Sequence, residues 1–257
     1  MQTYAGRMAM LSTMFSAKSY VKDGLIAMWD GIENAGYGSH DPAPMRWMDL
    51  TGNGHDFTVQ SGGTPLVFDK DHFYGNGLSA PYALLENQIA AATQVEIVLK
   101  MDWLDAYAVY ETPICFSSNG FRIAAPTSSA EVVNRGFSLM GGYFASSIYS
   151  TLHMTKPTSY SFQAGKAGSP YNQNSPYSVL ATYCNGSYIG ANRSQVNFTN
   201  TIPSLGPTSY RDKPFKGSIY SVRLYSRMLT PEEISANSAV DEARFNLKAS
   251  EALEETI

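Results

Sequence analysis

Between Gln94 and Trp103 the chain alternates with a period of two. Val95, Ile97, Leu99, Met101 and Trp103 fall on one face, Gln94, Glu96, Lys100 and Asp102 on the other, and Val98 is the exception. Successive side chains of a strand point to opposite faces, so a run of this quality specifies a β-strand with one face on a core. A helix would scatter the same residues around its circumference. The composition agrees. Charged residues make up 16% of the 257 positions, against about 25% in ordinary globular domains. There are 17 Tyr and 12 Phe, and Gly, Pro, Ser, Asn and Thr are plentiful, which suits many strands joined by turns rather than a helical bundle.

Charge and hydropathy exclude several functions. The net charge is −4 and no basic run occurs, so a groove that tracks nucleic-acid phosphates is not expected. No apolar run reaches the length of a membrane span. Cys115 and Cys184 fit either a bridge or two small apolar fillers within strands. Residues 1–22 read as an apolar-leaning leader with Met8, Leu11 and Phe15 on one side of a short helix. The stretch after Arg7 is too short and too rich in hydroxyls for a secretion signal, and no A-x-A-like cleavage site follows. Without such a signal, the N-x-[ST] triplets at Asn185, Asn192 and Asn197 read as chance. A leader of this kind frays unless tied down, so it is expected to pack on its own domain or on a neighbouring chain.

Other elements are marked by local chemistry. Gly24 to Asp30 reads as a buried strand, residues 31–45 as a loop, Thr51 to Gly54 as a tight turn and His55 to Gln60 as a strand. The second Gly-Asn-Gly triplet, at 75–77, also reads as a turn. Strands are expected over Ile114–Ser117 and Phe121–Ala124, with a hairpin over Gly136–Ile148. Asn185-Gly186 is a hairpin signal between Tyr177–Tyr183 and Ser187–Gly190. Ser218 to Arg227 forms a last strand with Tyr220, Val222 and Leu224 on one side, and Ile219, Ser221, Arg223 and Tyr225 on the other. Thr230 then caps a helix running towards Phe245. Pro231 suits its first position and Glu233 completes a capping box.

Two stretches near opposite ends belong together. The first is Gly24-Leu25-Ile26-Ala27-Met28-Trp29-Asp30 with Trp47-Met48-Asp49-Leu50-Thr51-Gly52-Asn53-Gly54. The second runs from Phe215 through Gly217-Ser218-Ile219-Tyr220-Ser221-Val222-Arg223-Leu224-Tyr225 to Leu229-Thr230-Pro231-Glu232-Glu233-Ile234. Together they resemble the concanavalin A-like, laminin-G-like jelly-roll family. The resemblance implies an all-β fold, an antiparallel two-sheet β-sandwich with a short C-terminal α-helix. Residues 23–247 would form the sandwich, 1–22 a leader or anchoring segment, and 248–257 an acidic tail. It also implies a binding module more than a catalyst.

Glycosidic cleavage needs two carboxylates flanking the bond. The laminarinase-like enzymes of this fold carry E-x-D-x-x-E on one strand, and no such run exists here. Glu33, Glu86, Glu96, Glu111 and Glu131 are isolated, and Asp102 with Asp105 is a looser pair that reads as two solvated acids. G-x-S-x-G, H-E-x-x-H and the phosphate-binding loop are absent. Catalysis is therefore not expected. The four histidines show no zinc spacing. Calcium is the one ion raised, by Asp49, Asn53 and Asp56 around a glycine turn. Three side chains fall short of the six to eight oxygens calcium takes, so hydrogen bonding to the turn backbone is the favoured reading.

The candidate ligand groups are Tyr171, Asn172 and Asn174, in a stretch without acids, and the loop carrying Tyr37 and His40. Rings stack on the apolar face of a sugar and amides pair with its hydroxyls. Trp29, Trp47 and Trp103 are expected in the core instead. The leading expectation is non-catalytic binding of a glycan or another cell-surface ligand. The competing one is a structural subunit of an assembly, such as a bacteriophage virion decoration or fibre protein, held to other subunits through residues 1–22. A hydrolase of the jelly-roll fold is the third.

Overall fold

The computed structural model describes residues 15–77, 82–89, 92–102, 113–115, 123–124, 137–141, 144–148, 156–165, 179–193, 204–206 and 215–247. In chain order its strands are β1 (Leu25–Asp30), β2 (Arg46–Trp47), β3 (Phe57–Thr58), β4 (Phe73–Asn76), β5 (Ala83–Leu85), β6 (Gln94–Met101), β7 (Ile114–Cys115) and β8 (Ile123–Ala124). They continue with β9 (Phe137–Gly141), β10 (Phe144–Ile148), β11 (Thr158–Gly165), β12 (Val179–Cys184), β13 (Ser187–Arg193), β14 (Ser204–Leu205) and β15 (Lys216–Tyr225), and the helix α1 spans Pro231–Phe245.

The strands form an antiparallel sandwich. One sheet has the order β1-β15-β6-β11-β12-β13, with β4 beside β1 along the same edge of β15; the facing sheet has the order β2-β3-β5-β14-β7. A small sheet of β10-β9-β8 completes the described strands. The first and last strands pair directly, with Trp29 opposite Val222 and Met28 opposite Arg223, so the two ends of the chain close one body. Between the sheets lies a core containing Trp29, Trp47, Phe57, Phe73, Val95, Ile97, Leu99, Tyr160, Phe162 and Val222. The ring of Trp29 sits 4.7 Å from that of Phe57. Trp103 lies outside the described residues. Among those residues, no helix is long and apolar enough to cross a membrane.

The polar face of β6 is also buried. Glu96 lies beneath α1, bonded to Asn237, and Gln94 is buried where it accepts from the Leu229 amide, and only at the far end do Lys100 and Asp102 reach solvent, paired at 2.8 Å. Val98, the break in the alternation, is apolar because it packs beneath α1 with Tyr220, Phe245 and Leu247. A bulge explains a second departure. The register of β15 against β6 shifts between Ile219 and Ser221, and a bulge re-aims the side chains around it. Ile219 therefore joins the core with Val222 and Leu224, while Tyr220 turns to the helix side. The uninterrupted alternation expected across 219–225 is corrected on this point. The triplet at 75–77 is corrected too: Gly75 and Asn76 belong to β4, and a Cβ at Gly75 would lie 2.3 Å from the Phe215 ring.

A buried ionic clamp holds α1 to the sheet. Arg223 donates to both oxygens of Asp241 at 2.7 Å and through Nε to Glu96 at 3.0 Å. Tyr20 stacks 4.0 Å below the guanidinium and donates its hydroxyl to Asp241 at 2.8 Å. Ser159 Oγ donates to the other Asp241 oxygen at 2.7 Å. Asn237 Nδ2 donates to Glu96 at 2.8 Å, and its Oδ1 accepts from Val21 N at 2.9 Å. Near the end of the helix Arg244 reaches Asp30 at 2.7 Å and Glu33 at 3.3 Å. The described part of the leader thus binds its own sandwich. The capping box is present, with Thr230 Oγ1 accepting from Glu233 N and the Glu233 carboxylate accepting from Thr230 N.

Buried pairs are costly to break because the surviving charge is left without a partner. Asp241→Ala is expected to lower unfolding free energy by about 3–5 kcal/mol, and Thr230→Ala by about 1 kcal/mol, as read from urea denaturation. A second prediction concerns pH. The Arg227 guanidinium, then the Thr230 amide, holds the Glu233 carboxyl at about 2, below its ordinary 4.5. A depressed acid contributes stability that is complete above its ordinary value and lost as pH falls through the folded one. The difference in melting temperature between wild type and Glu233→Gln should be full at neutral pH and shrink as pH drops from 4.5 towards 2.

Candidate functional site

Two rims of the sandwich carry the groups that sequence pattern singles out. The loop after β1 is organised by Asn34, whose carboxamide donates to Asp41 O at 2.7 Å and accepts from Asp41 N at 2.8 Å. Gly31 is required there, since a Cβ would lie 2.3 Å from the carbonyl oxygen of Asp71. Tyr37 is 41% exposed and carries Lys18 Nζ over its ring at 5.0 Å. Partial burial, then nearby Glu33, raises its phenol above the ordinary value. His40 is exposed. Its Nδ1 lies 3.1 Å from Gly31 O, and its ring meets Phe68 edge-on at 6.4 Å. The loop therefore offers an aromatic and an imidazole in different surroundings, Tyr37 towards the leader and His40 towards Phe68. Tyr171, Asn172 and Asn174 lie outside the described residues.

The glycine turn brings Asp49, Asn53 and Asp56 together. Asp49 Oδ1 accepts from Met28 N and Thr51 N, each at 3.0 Å, and Oδ2 accepts from His55 N at 3.3 Å. Asp56 Oδ1 accepts from Asp49 N at 2.7 Å, and its Oδ2 lies 3.3 Å from Arg46. Asn53 Nδ2 donates to Ile26 O at 2.7 Å. Gly52 and Gly54, both at φ +79°, supply the left-handed backbone the turn needs. The carboxylate oxygens meet N–H and O–H donors that bind the turn to β1, and an ion placed here would have to replace them. Among the described residues, no group of three or more His, Cys, Asp and Glu side chains is arranged to hold a metal.

The acids weighed as catalysts are placed unequally. Glu96 is 2% exposed beneath α1, where burial raises its carboxyl although Arg223 pulls the other way. Asp102 pairs with Lys100, and Asp105 lies outside the described residues. Cys184 is a free thiol whose pKa burial pushes to about 11.

One concave site was not anticipated from sequence. A cavity of about 160 Å³ opens beside β4, walled by the 59–67 loop, Tyr74, Asn76 and Tyr82 over a floor of Phe73 and Leu66. Among the described residues, its lining contains no Asp, Glu, Lys, Arg or His. Tyr82 is fixed in place: its ring meets Phe73 at 5.2 Å, its hydroxyl lies 3.1 Å from both Asn76 Oδ1 and Phe215 O, and it accepts from Gly77 N at 3.1 Å. Backbone bonds from Val59 to Met45, Leu66 to Pro44 and Phe68 to Pro42 tie the cavity wall to the end of the Tyr37–His40 loop. Phe68 also touches Phe73 at 5.7 Å, linking His40 to the cavity floor. The sequence signal was the alternation Tyr74-Gly75-Asn76, an aromatic and an amide two apart, obscured by glycines that suggested a turn.

No family model matches the chain, and no curated protein sequence matches it. Solved structures do. Domain 4 of AbnA, an extracellular arabinanase from Geobacillus stearothermophilus solved in complex with arabinotriose, superposes with a TM-score of 0.57 at 16% identity, covering 84% of this chain and 98% of that domain. The Trypanosoma rangeli sialidase in complex with sialic acid gives 0.55 at 12% identity over 96% of this chain, which spans 38% of the sialidase. The receptor-binding domain of botulinum neurotoxin type G gives 0.54 at 14% identity over 85% of this chain and 52% of that one. These likenesses show the fold alone, a β-sandwich.

Removing the carboxylate at the glycine turn tests which role it has. Asp49→Ala should cost about 2 kcal/mol from lost charge-assisted hydrogen bonds, equally in EDTA and in millimolar calcium. A calcium-dependent rise in wild-type melting temperature that Asp49→Ala abolishes would instead make the turn an ion site.

Proposed function

We propose that this chain is a non-catalytic binding domain for carbohydrate or another cell-surface ligand, built on a laminin-G-like sandwich. The observation that carries the reading is the distribution of charge. The buried acids Glu96 and Asp241 are engaged by Arg223 beneath α1, whereas the described lining of the concave rim beside β4 is uncharged and largely apolar, with Tyr74, Tyr82, Gln60 and Asn76 among its residues. Neutral rings and amides bind sugars without supplying an acid and a base to cleave them. The solved neighbours support a ligand partner in general, since one holds arabinotriose, one sialic acid, and one is a receptor-binding domain.

The alternative of a structural subunit held through residues 1–22 stays a separate proposal; within that segment Tyr20 and Val21 bond to Asp241 and Asn237 of the same chain.

A glycan array probed with the full chain tests the reading. Binding is expected to a subset of glycans, to weaken in Tyr37→Ala or Tyr171→Ala, and to proceed without release of reducing sugar from a polysaccharide panel. Release of reducing sugar that Glu96→Gln or Asp102→Asn abolishes would make the chain a hydrolase, and an array without hits together with no sugar binding detected by NMR at millimolar concentration would remove carbohydrate as the ligand.

A further inference from the structure

We infer that the cavity beside β4 is a subsite for a single uncharged sugar ring, an assignment that rests on the carbohydrate reading above and gives it a place and a ligand class. Size comes first. Sites for drug-sized ligands run to roughly 300–1,000 Å³, and this cavity of about 160 Å³ holds one ring rather than a chain of them. Such a site reads the end of a glycan or one projecting residue.

Charge comes second. An anionic sugar entering a site lined without Lys, Arg or His would lose hydration with no cation to replace it. The lining includes instead Tyr74 and Tyr82, whose ring type suits an apolar sugar face, and Gln60, Asn76 and Thr64, whose amides and hydroxyl can exchange hydrogen bonds with sugar hydroxyls alongside the bonds Gln60 Nε2 makes to Thr58 O and Asn76 Oδ1 to the Tyr82 hydroxyl.

Rigidity comes third. Tyr82 is held by its hydroxyl bonds and by packing against Gly206, where an added Cβ would lie 2.9 Å from the ring. The loop wall is closely packed as well: a Cβ at Gly63 would lie 2.6 Å from the Val59 side chain. A wall ordered before the ligand arrives spares the ordering cost of binding. A single ring still brings few atoms, so the expected dissociation constant is about 1 mM.

The test titrates the full chain with methyl glycosides of neutral pentoses and hexoses, and with sialic and glucuronic acid, followed by saturation-transfer and amide-shift NMR. Shifts at 59–67 and 73–76 should saturate near the millimolar range for at least one neutral sugar, with the acids at least about tenfold weaker. Tyr74→Ala should weaken binding about tenfold, and Thr64→Trp, at an exposed position on the mouth, should abolish it while leaving the melting temperature unchanged. Preference for an acidic sugar, or shifts confined to other residues, overturns the assignment. The glycan array separates this failure from that of the broader reading. Array hits untouched by Thr64→Trp and Tyr74→Ala, with no NMR shifts at 59–67 and 73–76, remove the subsite alone, whereas an empty array together with no NMR-detected binding of any sugar removes both.

Discussion

Arg223 is the side chain on which the architecture turns. It stands on β15, and its guanidinium reaches Asp241 on α1, Glu96 on β6 and the ring of Tyr20 in the leader. Four segments, of which only β15 and α1 are neighbours in sequence, are registered by one cation. Burying such a charge gains little net free energy, because the desolvation penalty offsets much of the attraction. What it supplies is directionality. An apolar helix could slide over a flat sheet face, but a bidentate guanidinium–carboxylate pair has one geometry. Satisfying Glu96 also through Asn237, and Asp241 also through Ser159 and Tyr20, leaves few alternatives for the seat of the helix.

That arrangement explains which parts of the fold could be read from sequence. The strands β6, β1 and β15, the Asn-Gly hairpin and the Thr230 capping box each have a local signature, and each is found, whereas the pairing of β1 with β15 is implied only by the resemblance of the two end segments to a known sandwich family. Asn185 and Gly186 adopt φ of 45° and 79°, the conformation a two-residue hairpin requires. The environment of the polar face was not legible. Gln94, Glu96, Ser161 and Gln163 have the composition of a solvated surface, and each is buried. Their burial depends on partners such as Leu229, whose amide bonds Gln94 from 135 residues away. A single segment cannot announce a partner that distant. Strand β11 escaped notice for the same reason: Tyr160 and Phe162 alternate with Ser159, Ser161 and Gln163, and the hydroxyl-rich half masked the alternation. The bulge at Tyr220 belongs to this class, since a register shift is a property of two strands together.

The candidate sites divide along similar lines. The Asp49–Asp56 turn was legible as a turn because its glycines and acids act within a few residues of one another. The cavity was not, because its floor comes from β4 and its walls from the 59–67 loop and Tyr82, and only the long-range pairing of β4 with β15 brings them to one edge. Covering the outer face of the β6 sheet with α1 and the leader has a functional consequence. A sheet that is buried on both sides offers ligands no broad face at that place, so recognition shifts to rims and edges, where the loops differ most freely among proteins sharing this sandwich.

A rim subsite for one ring also constrains how the protein would hold its target. Millimolar binding does not retain a ligand by itself; retention needs either a longer ligand or repeated contacts. The first route is available in the geometry, because the cavity wall is bonded to the end of the loop carrying His40 and Tyr37. A glycan seated beside β4 could extend along this rim, adding contacts to a ring that is already placed. The second route is multivalent display, in which linked copies raise the effective concentration of each weak site and multiply retention without any new contact. The two routes differ in their demand on the chain. Extension requires the 31–45 loop to keep its present shape, which Asn34 and Gly31 enforce, whereas display requires only that the rim face outward.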